Sequence, residues 1–253
     1  MSVPPLAYQT NQAEFYGRRF FVTPDVLIPR PETEMAIDAV LNLAGRPILP
    51  GVKPGARQLP ERPHILDVGT GSGVIAITLK LELPEAEILA TDLSKKALQV
   101  AQTNATRLGA NLNFLQSDLL AFLDPPAPLS QRSDRPTAPF CSADEIPETF
   151  DKTPEPFDLI VANLPYVDQT WSWLDCDALS AEPDLALYAD DSGLSLIFRL
   201  LTEIAEKSAL AKDGFLVLEA DPCQHERLIN RARTLRFTLL ETRGFQLVFQ
   251  FTP

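Results

Sequence analysis

Cysteine and histidine are scarce in this chain, and their scarcity excludes whole classes of chemistry. Three widely spaced cysteines, Cys141, Cys176 and Cys223, form neither a C-x-x-C pair nor a disulfide framework. His64 and His225 are the only histidines, which argues against a zinc site. Long apolar runs are missing too: none approaches the roughly 18 residues that a bilayer crossing needs. The opening Met1-Ser2-Val3-Pro4-Pro5 has neither the basic region nor the apolar core of a signal peptide. The expected compartment is therefore the cytoplasm, with no membrane partner. Positive charge is also in short supply, with 22 Lys and Arg against 34 Asp and Glu and a net charge of −12. A protein that grips a nucleic-acid backbone unaided usually carries a basic face. The basic cluster at Arg231 to Arg236 sits on an otherwise acidic chain, so a nucleic-acid partner is disfavoured.

What is present is a globular composition, 45% hydrophobic and 22% charged over 253 residues, enough for one large core. The pattern turns on Asp67-Val68-Gly69-Thr70-Gly71-Ser72-Gly73, which follows the apolar Ile65-Leu66 and precedes a helical stretch from Val74. Strand, tight turn and helix are expected there. Glycines at the turn permit positive φ and a close ligand approach, and the helix start offers unpaired N–H groups. The residues fit the dinucleotide fingerprint G-x-G-x-x-G/A at Gly71, Gly73 and Ala76. They fit equally the Asp-x-Gly-x-Gly-x-Gly loop of S-adenosylmethionine enzymes, at Asp67, Gly69, Gly71 and Gly73. An ordinary glycine turn is the bland alternative. Asp92, about 20 positions on and ending the strand 87–91, can accept hydrogen bonds from a ribose diol with either cofactor. It could also be a plain turn residue or cap.

The first 30 residues read as mostly extended, with a hairpin in which Glu14-Phe15-Tyr16-Gly17 and Phe20-Phe21-Val22 flank Arg18-Arg19. A helix follows, with Pro31 in its first turn and Glu32 and Glu34 opposing its dipole. Residues 46–63 are a Pro/Gly-rich linker or surface loop. Seven prolines between Pro125 and Pro154 mark an insertion at about 124–156, expected to be exposed and dispensable. The strand 157–162 runs into Asn163-Leu164-Pro165-Tyr166, and a helix (193–210), a strand (214–219) and another helix (222–235) come next. Two last strands are separated only by Thr242-Arg243-Gly244. Three residues are too few for a parallel crossover, so these strands, if paired, must be antiparallel. The expected organisation is a short N-terminal hairpin segment (1–30) and one α/β domain (31–253). Its mainly parallel, seven-stranded sheet ends in an antiparallel pair, as in Rossmann-like methyltransferases, which favours S-adenosyl-L-methionine as the ligand.

Asn163-Leu164-Pro165-Tyr166 resembles the Asn-Pro-Pro-Tyr signature of amino methyltransferases. Together with Leu27-Ile28-Pro29-Arg30-Pro31-Glu32-Thr33-Glu34, it resembles the peptide-chain release-factor N5-glutamine methyltransferases. Glu14-Phe15-Tyr16-Gly17, Glu182-Pro183 and Ala189-Asp190-Asp191-Ser192-Gly193-Leu194 fall in the family's order. The resemblance implies methyl transfer from S-adenosyl-L-methionine to a glutamine side-chain amide of a release factor. It implies cofactor contacts from Asp67, Gly69, Thr70, Gly71, Ser72 and Gly73 around the methionine moiety. Asp92 would hold the ribose, Asp118 and Leu119 would flank the adenine, and Asn163 would lie between cofactor and acceptor. A carboxamide nitrogen is a poor nucleophile, so catalysis consists largely of orientation. The Asn163 side-chain oxygen and the Leu164 carbonyl can accept its two N–H bonds, Pro165 biases residue 164 towards extended geometry, and Tyr166 can pack on the planar amide.

Two departures define the rivals. Leu164 replaces the family's first proline, a spelling typical of ribosomal-RNA adenine dimethyltransferases. Only the trailing hairpin of the family's N-terminal helical domain is expected here. An RNA or DNA adenine N6-methyltransferase and a non-catalytic S-adenosylmethionine-binding protein are therefore the alternatives.

Overall fold

The computed structural model describes residues 4–46, 58–125, 155–172 and 179–252. Most of the expected insertion at 124–156, the middle of the expected linker at 46–63, and Trp173 lie outside the described residues.

The N-terminal segment is less extended than its sequence suggests, because a short helix, α1 (Leu6–Thr10), precedes the hairpin. The hairpin pairs β1 (Gln12–Phe15) with β2 (Arg18–Phe21), so its turn falls at Tyr16-Gly17 and not at Arg18-Arg19. Tyr16 and Gly17 both take positive φ, 49° and 69°, and turns with φ > 0 at both central residues match the strand twist. Tyr16 is held in this geometry from outside the hairpin. Its N–H donates to Glu34 Oε1 at 2.7 Å and its hydroxyl to Asp38 Oδ1 at 3.0 Å. Both carboxylates sit at or within α2 (Glu34–Leu43), which follows a 3₁₀ turn at Pro31–Thr33. Phe15 and Phe20 meet edge to face and are buried with Ile37 and Val40 of α2. The hairpin therefore shares a core with the helix that follows it.

Alternating strands and helices build the main sheet: β3 (His64–Val68), α3 (Val74–Glu82), β4 (Glu87–Asp92), α4 (Lys95–Leu108) and β5 (Asn113–Gln116). After β6 (Phe157–Ala162) come a one-turn helix α5 (Asp184–Leu187), α6 (Ser195–Lys207) and β7 (Leu210–Glu219). A 3₁₀ turn at Pro222–Gln224 leads to α7 (His225–Thr234), and β8 (Phe237–Arg243) and β9 (Gln246–Phe251) close the chain. The seven-stranded order is β5-β4-β3-β6-β7-β9-β8. The first five are mutually parallel, and β9 is antiparallel to both β7 and β8. This is the expected mainly parallel sheet with an antiparallel end.

Its strands read as continuous apolar runs because both faces are covered. Leu159, Val161, Phe215 and Val217 point into the layer under α2 and α3, packed with Ile37 and Ile77. Ile160, Ala162, Leu216 and Leu218 point into the opposite layer, packed with Ile197, Leu200 and Leu228 of α6 and α7. Each of these buried Val, Leu, Ile and Phe side chains is worth about 1.5–3 kcal/mol. From β3 the chain winds outward through β4 and β5, then returns to lay β6 on the other side of β3. The carboxyl ends of β3 and β6 therefore meet where strand order reverses, the crevice in which open α/β sheets bind ligands.

Candidate active site

The glycine loop leaves β3 at that crevice and is tied down residue by residue. The N–H groups of Gly69 and Thr70 both donate to the Thr91 carbonyl at 2.9 Å. Gly71 N–H donates to Asp92 Oδ2 at 2.9 Å, and Ser94 N–H to Asp92 Oδ1 at 2.8 Å. Buried Asn104 of α4 donates to the Ser72 carbonyl at 2.9 Å and also exchanges two hydrogen bonds with the Phe21 backbone. The N-terminal hairpin is thereby fastened to the loop through one side chain. Beneath the loop, fully buried Asp67 accepts from the Thr70 hydroxyl at 2.6 Å and from Ala76 N–H, in the first turn of α3, at 3.2 Å. Its Oδ1 is buried without a hydrogen-bond partner. Burial raises the Asp67 pKa to about 7 and the charge of Asp92 adds to the rise, while the bonds from Thr70 and Ala76 pull it down. Burial likewise raises Asp92, against its bonds from Ser94 and Gly71.

From the neighbouring strand, β6 delivers Asn163-Leu164-Pro165-Tyr166. Asn163 Nδ2 donates to Thr33 Oγ1 at 3.0 Å. Leu164 is buried against the glycine loop so closely that a Cβ at Gly69, where φ is +75°, would lie 2.8 Å from Leu164 Cδ2. The Tyr166 hydroxyl turns away from the loop and donates to Glu219 Oε1, at the end of β7, at 3.1 Å. Glu219 also accepts from Gln246 Nε2 at 2.9 Å. Burial raises the Glu219 pKa, and the neighbouring polar groups of Thr33, Gln246 and Tyr166 oppose the rise. Burial, followed by the charge of Glu219, pushes the Tyr166 phenol far up. The turn 190–194 supports this motif from behind. A Cβ at Gly193, with φ +81°, would stand 1.9 Å from the Tyr166 carbonyl oxygen, while Gln224 Nε2 donates to that oxygen at 2.7 Å.

These elements enclose a cleft of about 270 Å³. Gly69, Thr70, Gly71, Ser72, Asp92, Asp118, Leu119, Asn163, Leu164 and Pro165 all contribute to its walls. Three other residues singled out in the sequence do not. Asp67 lies under the loop, Gly73 caps α3, and Tyr166 reaches back to Glu219. Asp118 is paired with Arg199 at 2.8 Å, and Leu119 takes φ +48°. The opposite wall comes from 24–30 and from 183–186, joined by the Arg30–Glu182 ion pair and by Ile28 N–H donating to Glu182 Oε2 at 3.0 Å. Asn104, Glu219 and Gln224 escape a sequence reading because the partners that tie them to the site, Phe21 for Asn104 and Tyr166 for Glu219 and Gln224, lie 53 to 83 residues away. Thr33 sits in a recognisable block, but nothing local links it to Asn163.

A family model, "Methyltransferase small domain", matches residues 56–126. The chain is 37% identical to the release factor glutamine methyltransferase of Koribacter versatilis over 86% of this chain and 65% of that one. It is 37% identical to that of Neisseria gonorrhoeae over 85% of this chain and 63% of that one. With that of Bacillus cereus it shares 32% identity over 90% of this chain and 68% of that one. The chain thus spans less than two-thirds of the length of the first two relatives. Among solved structures, a methyltransferase from Pyrococcus furiosus matches with a TM-score of 0.56 and 14% identity, covering 94% of this chain and 91% of that one. A ribosomal protein L11 methylase from Lactobacillus delbrueckii subsp. bulgaricus matches with a TM-score of 0.51 and 19% identity, covering 87% and 78%. Likeness at that identity concerns the fold alone, which is the Rossmann-like methyltransferase sheet.

Proposed function

This chain belongs to the release factor glutamine methyltransferase family, and on that premise we propose that it methylates the side-chain amide nitrogen of a glutamine in a peptide-chain release factor. S-adenosyl-L-methionine is the proposed methyl donor, and the residues of the cleft suit it. Each Asp92 oxygen accepts one backbone N–H, and a carboxylate oxygen has room for a second donor, so a ribose diol can bind without displacing either bond. Gly71 takes φ +56° with open space where a Cβ would stand, so a ligand can approach the loop backbone there. Leu119 and Leu93 offer apolar surface for a base, with Asp118 beside them. Bound there, the cofactor supplies a sulfonium-activated methyl group, which requires an acceptor lone pair presented in line.

Presentation is the proposed work of Asn163, Leu164 and Pro165. The observation that carries this reading is the Asn163–Thr33 hydrogen bond. It occupies the Asn163 amino group and leaves Oδ1 as a free acceptor on the cleft wall beside the glycine loop. A second acceptor, the Leu164 carbonyl, would take the other N–H of the incoming amide. These two bonds orient the nitrogen without a general base before transfer; as the methyl–sulfur bond breaks, a neutral thioether leaves, and the methylated nitrogen then sheds one proton to water. Pro165, on the cleft wall, would flank the planar group. A release factor acts on the ribosome, so the reading carries a cytoplasmic location with it.

Incubation with labelled S-adenosylmethionine and, separately, release factor and ribosomal RNA tests the proposal. Label should enter only the release factor and map to one glutamine; label in RNA would favour the adenine N6 reading. In Asn163→Ala, turnover should fall by about a hundredfold while cofactor affinity changes little, because misorientation raises the barrier without altering the cofactor's ground state. Equal losses in turnover and affinity would place Asn163 in cofactor binding only.

A further inference from the structure

Asn104 stands in the third turn of α4, fully buried, between two segments that lie far apart in the chain. On one side its Oδ1 accepts from Phe21 N–H at 2.6 Å and its Nδ2 donates to the Phe21 carbonyl at 2.8 Å. The amide thus pairs with β2 as a third strand of that two-stranded sheet would. The other hydrogen of Nδ2 goes to the Ser72 carbonyl at 2.9 Å. Reversed, the amide would set an amino group against an N–H and an oxygen against two carbonyls, so its orientation is fixed. The Ser72 carbonyl needs this donor. Ala76 N–H, the helical partner four residues on, is bound to Asp67 instead, and Ser72 is only 3% exposed. Ala101, one turn earlier on α4, packs on Gly73, where φ is +83° and a Cβ would lie 3.1 Å from the Ala101 Cβ. The same helix is capped by Ser94, whose N–H shares Asp92 with Gly71. The loop is therefore held by α4 at Ser72 and Gly73, and at Gly71 by the turn that opens this helix.

We propose that Asn104 is a positioning residue for S-adenosylmethionine, and that through it the N-terminal hairpin and the bound cofactor stabilise one another. Asn104 is not on the cleft wall; it acts by holding Ser72, which is. The proposal rests on the reading of the cleft as the S-adenosylmethionine site. Its reciprocal half follows from linkage. If the loop binds cofactor well only with Asn104 seated, the cofactor must favour the seated state, and with it the Phe21 bonds, by the same factor. The N-terminal segment also reaches the opposite wall, where the Tyr8 hydroxyl donates to the Val26 carbonyl at 2.6 Å. It braces both sides of the cleft.

The test compares the parent with two variants. Asn104→Asp keeps the size but turns acceptors towards the Phe21 and Ser72 carbonyls. Leu228→Ala truncates the core on the other face of the sheet. By calorimetry, Asn104→Asp should raise the S-adenosylmethionine Kd by about tenfold or more. Leu228→Ala should lower Tm and leave Kd within about twofold, which separates positioning from general stability. In the ligand-free proteins, the Gly71 and Gly73 N–H groups, bonded to Asp92 and to the Thr70 carbonyl, should exchange faster in Asn104→Asp alone. In the parent, cofactor at 100 times Kd should slow Phe21 N–H exchange by up to about a hundredfold, because opening this bond forfeits binding. Amides of β8, at the far edge of the sheet, should slow much less. A Kd in Asn104→Asp within about twofold of the parent's, or a Phe21 N–H slowed no more than those of β8, would overturn the proposal. If Asn104→Asp does not fold, the Phe21 measurement on the parent decides. A parent that binds no S-adenosylmethionine would defeat the reading of the cleft instead, and the glycine exchange rates would still decide whether Asn104 positions the loop.

Discussion

Asp67 combines full burial, two hydrogen bonds to one carboxylate oxygen and none to the other. Its folded-state pKa of about 7 lies above the ordinary value of 3.8. Between those values the folded chain holds a proton that the unfolded chain releases. The associated stability is therefore fully present below about pH 4 and is lost as pH rises through 7. A shift of this size corresponds to on the order of 4 kcal/mol between the limits. Asp67→Asn can keep its oxygen on Thr70 and Ala76 and carries no titrating group. Urea unfolding of the ligand-free chain at pH 5 to 8 should show the parent losing stability relative to this variant as pH rises. Parallel curves would mean that Asp67 is ionised throughout. The Asp and glycines of this loop were legible in the sequence because their spacing is local. What could not be read was that Asp67 turns under the loop while Asp92 reaches into it, since that depends on how β3 and β4 align.

At the scale of elements, the cleft is held together by contacts between distant segments. Glu182, at the entrance to α5, is buried, and it accepts from Ile28 N–H and pairs with Arg30. Segments 24–30 and 183–186 form one wall of the cleft, and this carboxylate joins them. Arg30 is a third exposed, so its lost partner can be replaced in part by water. Glu182→Ala should then cost about 2 kcal/mol, below the 3–5 kcal/mol of a wholly buried pair. Because the loss falls on the cleft wall, cofactor affinity should weaken while the main sheet persists, as calorimetry and hydrogen exchange of β3, β6 and β7 can check. Loss of protection across the sheet would mean that the pair supports the whole fold. The strands and the antiparallel end were readable from apolar runs and from a three-residue connection. The hairpin turn was not: Tyr16 adopts a conformation that glycine or asparagine would signal, and the Glu34 and Asp38 that hold it come from α2. Glu182-Pro183 was visible only as part of a family resemblance, and the ion pair gives it a physical reason.

For the whole molecule, a ligand that binds only the folded state stabilises it by mass action. At a concentration 100 times Kd, S-adenosylmethionine should add about 2.7 kcal/mol. For a chain of 253 residues that corresponds to a rise in Tm of roughly 5–10 °C. Asp92→Ala should erase most of this rise. It removes the proposed charge-assisted bond to the ribose, worth about 1.5–3 kcal/mol, and it also unfastens Gly71 and Ser94 from the carboxylate. The two effects separate in the ligand-free protein, where a lowered Tm reports only the unfastened loop. The difference between the ligand-induced shifts of parent and variant then reports the cofactor. A parent without any shift would refute S-adenosylmethionine as the ligand of the cleft. An equal shift in Asp92→Ala would leave Asp92 as a cap of the β4–α4 turn and nothing more. If the parent shifts and Asp92→Ala does not, the remaining question is catalytic, and turnover divides it. Transfer to release factor supports the proposed enzyme, whereas a shift with transfer to neither protein nor RNA assigns the cleft to binding alone.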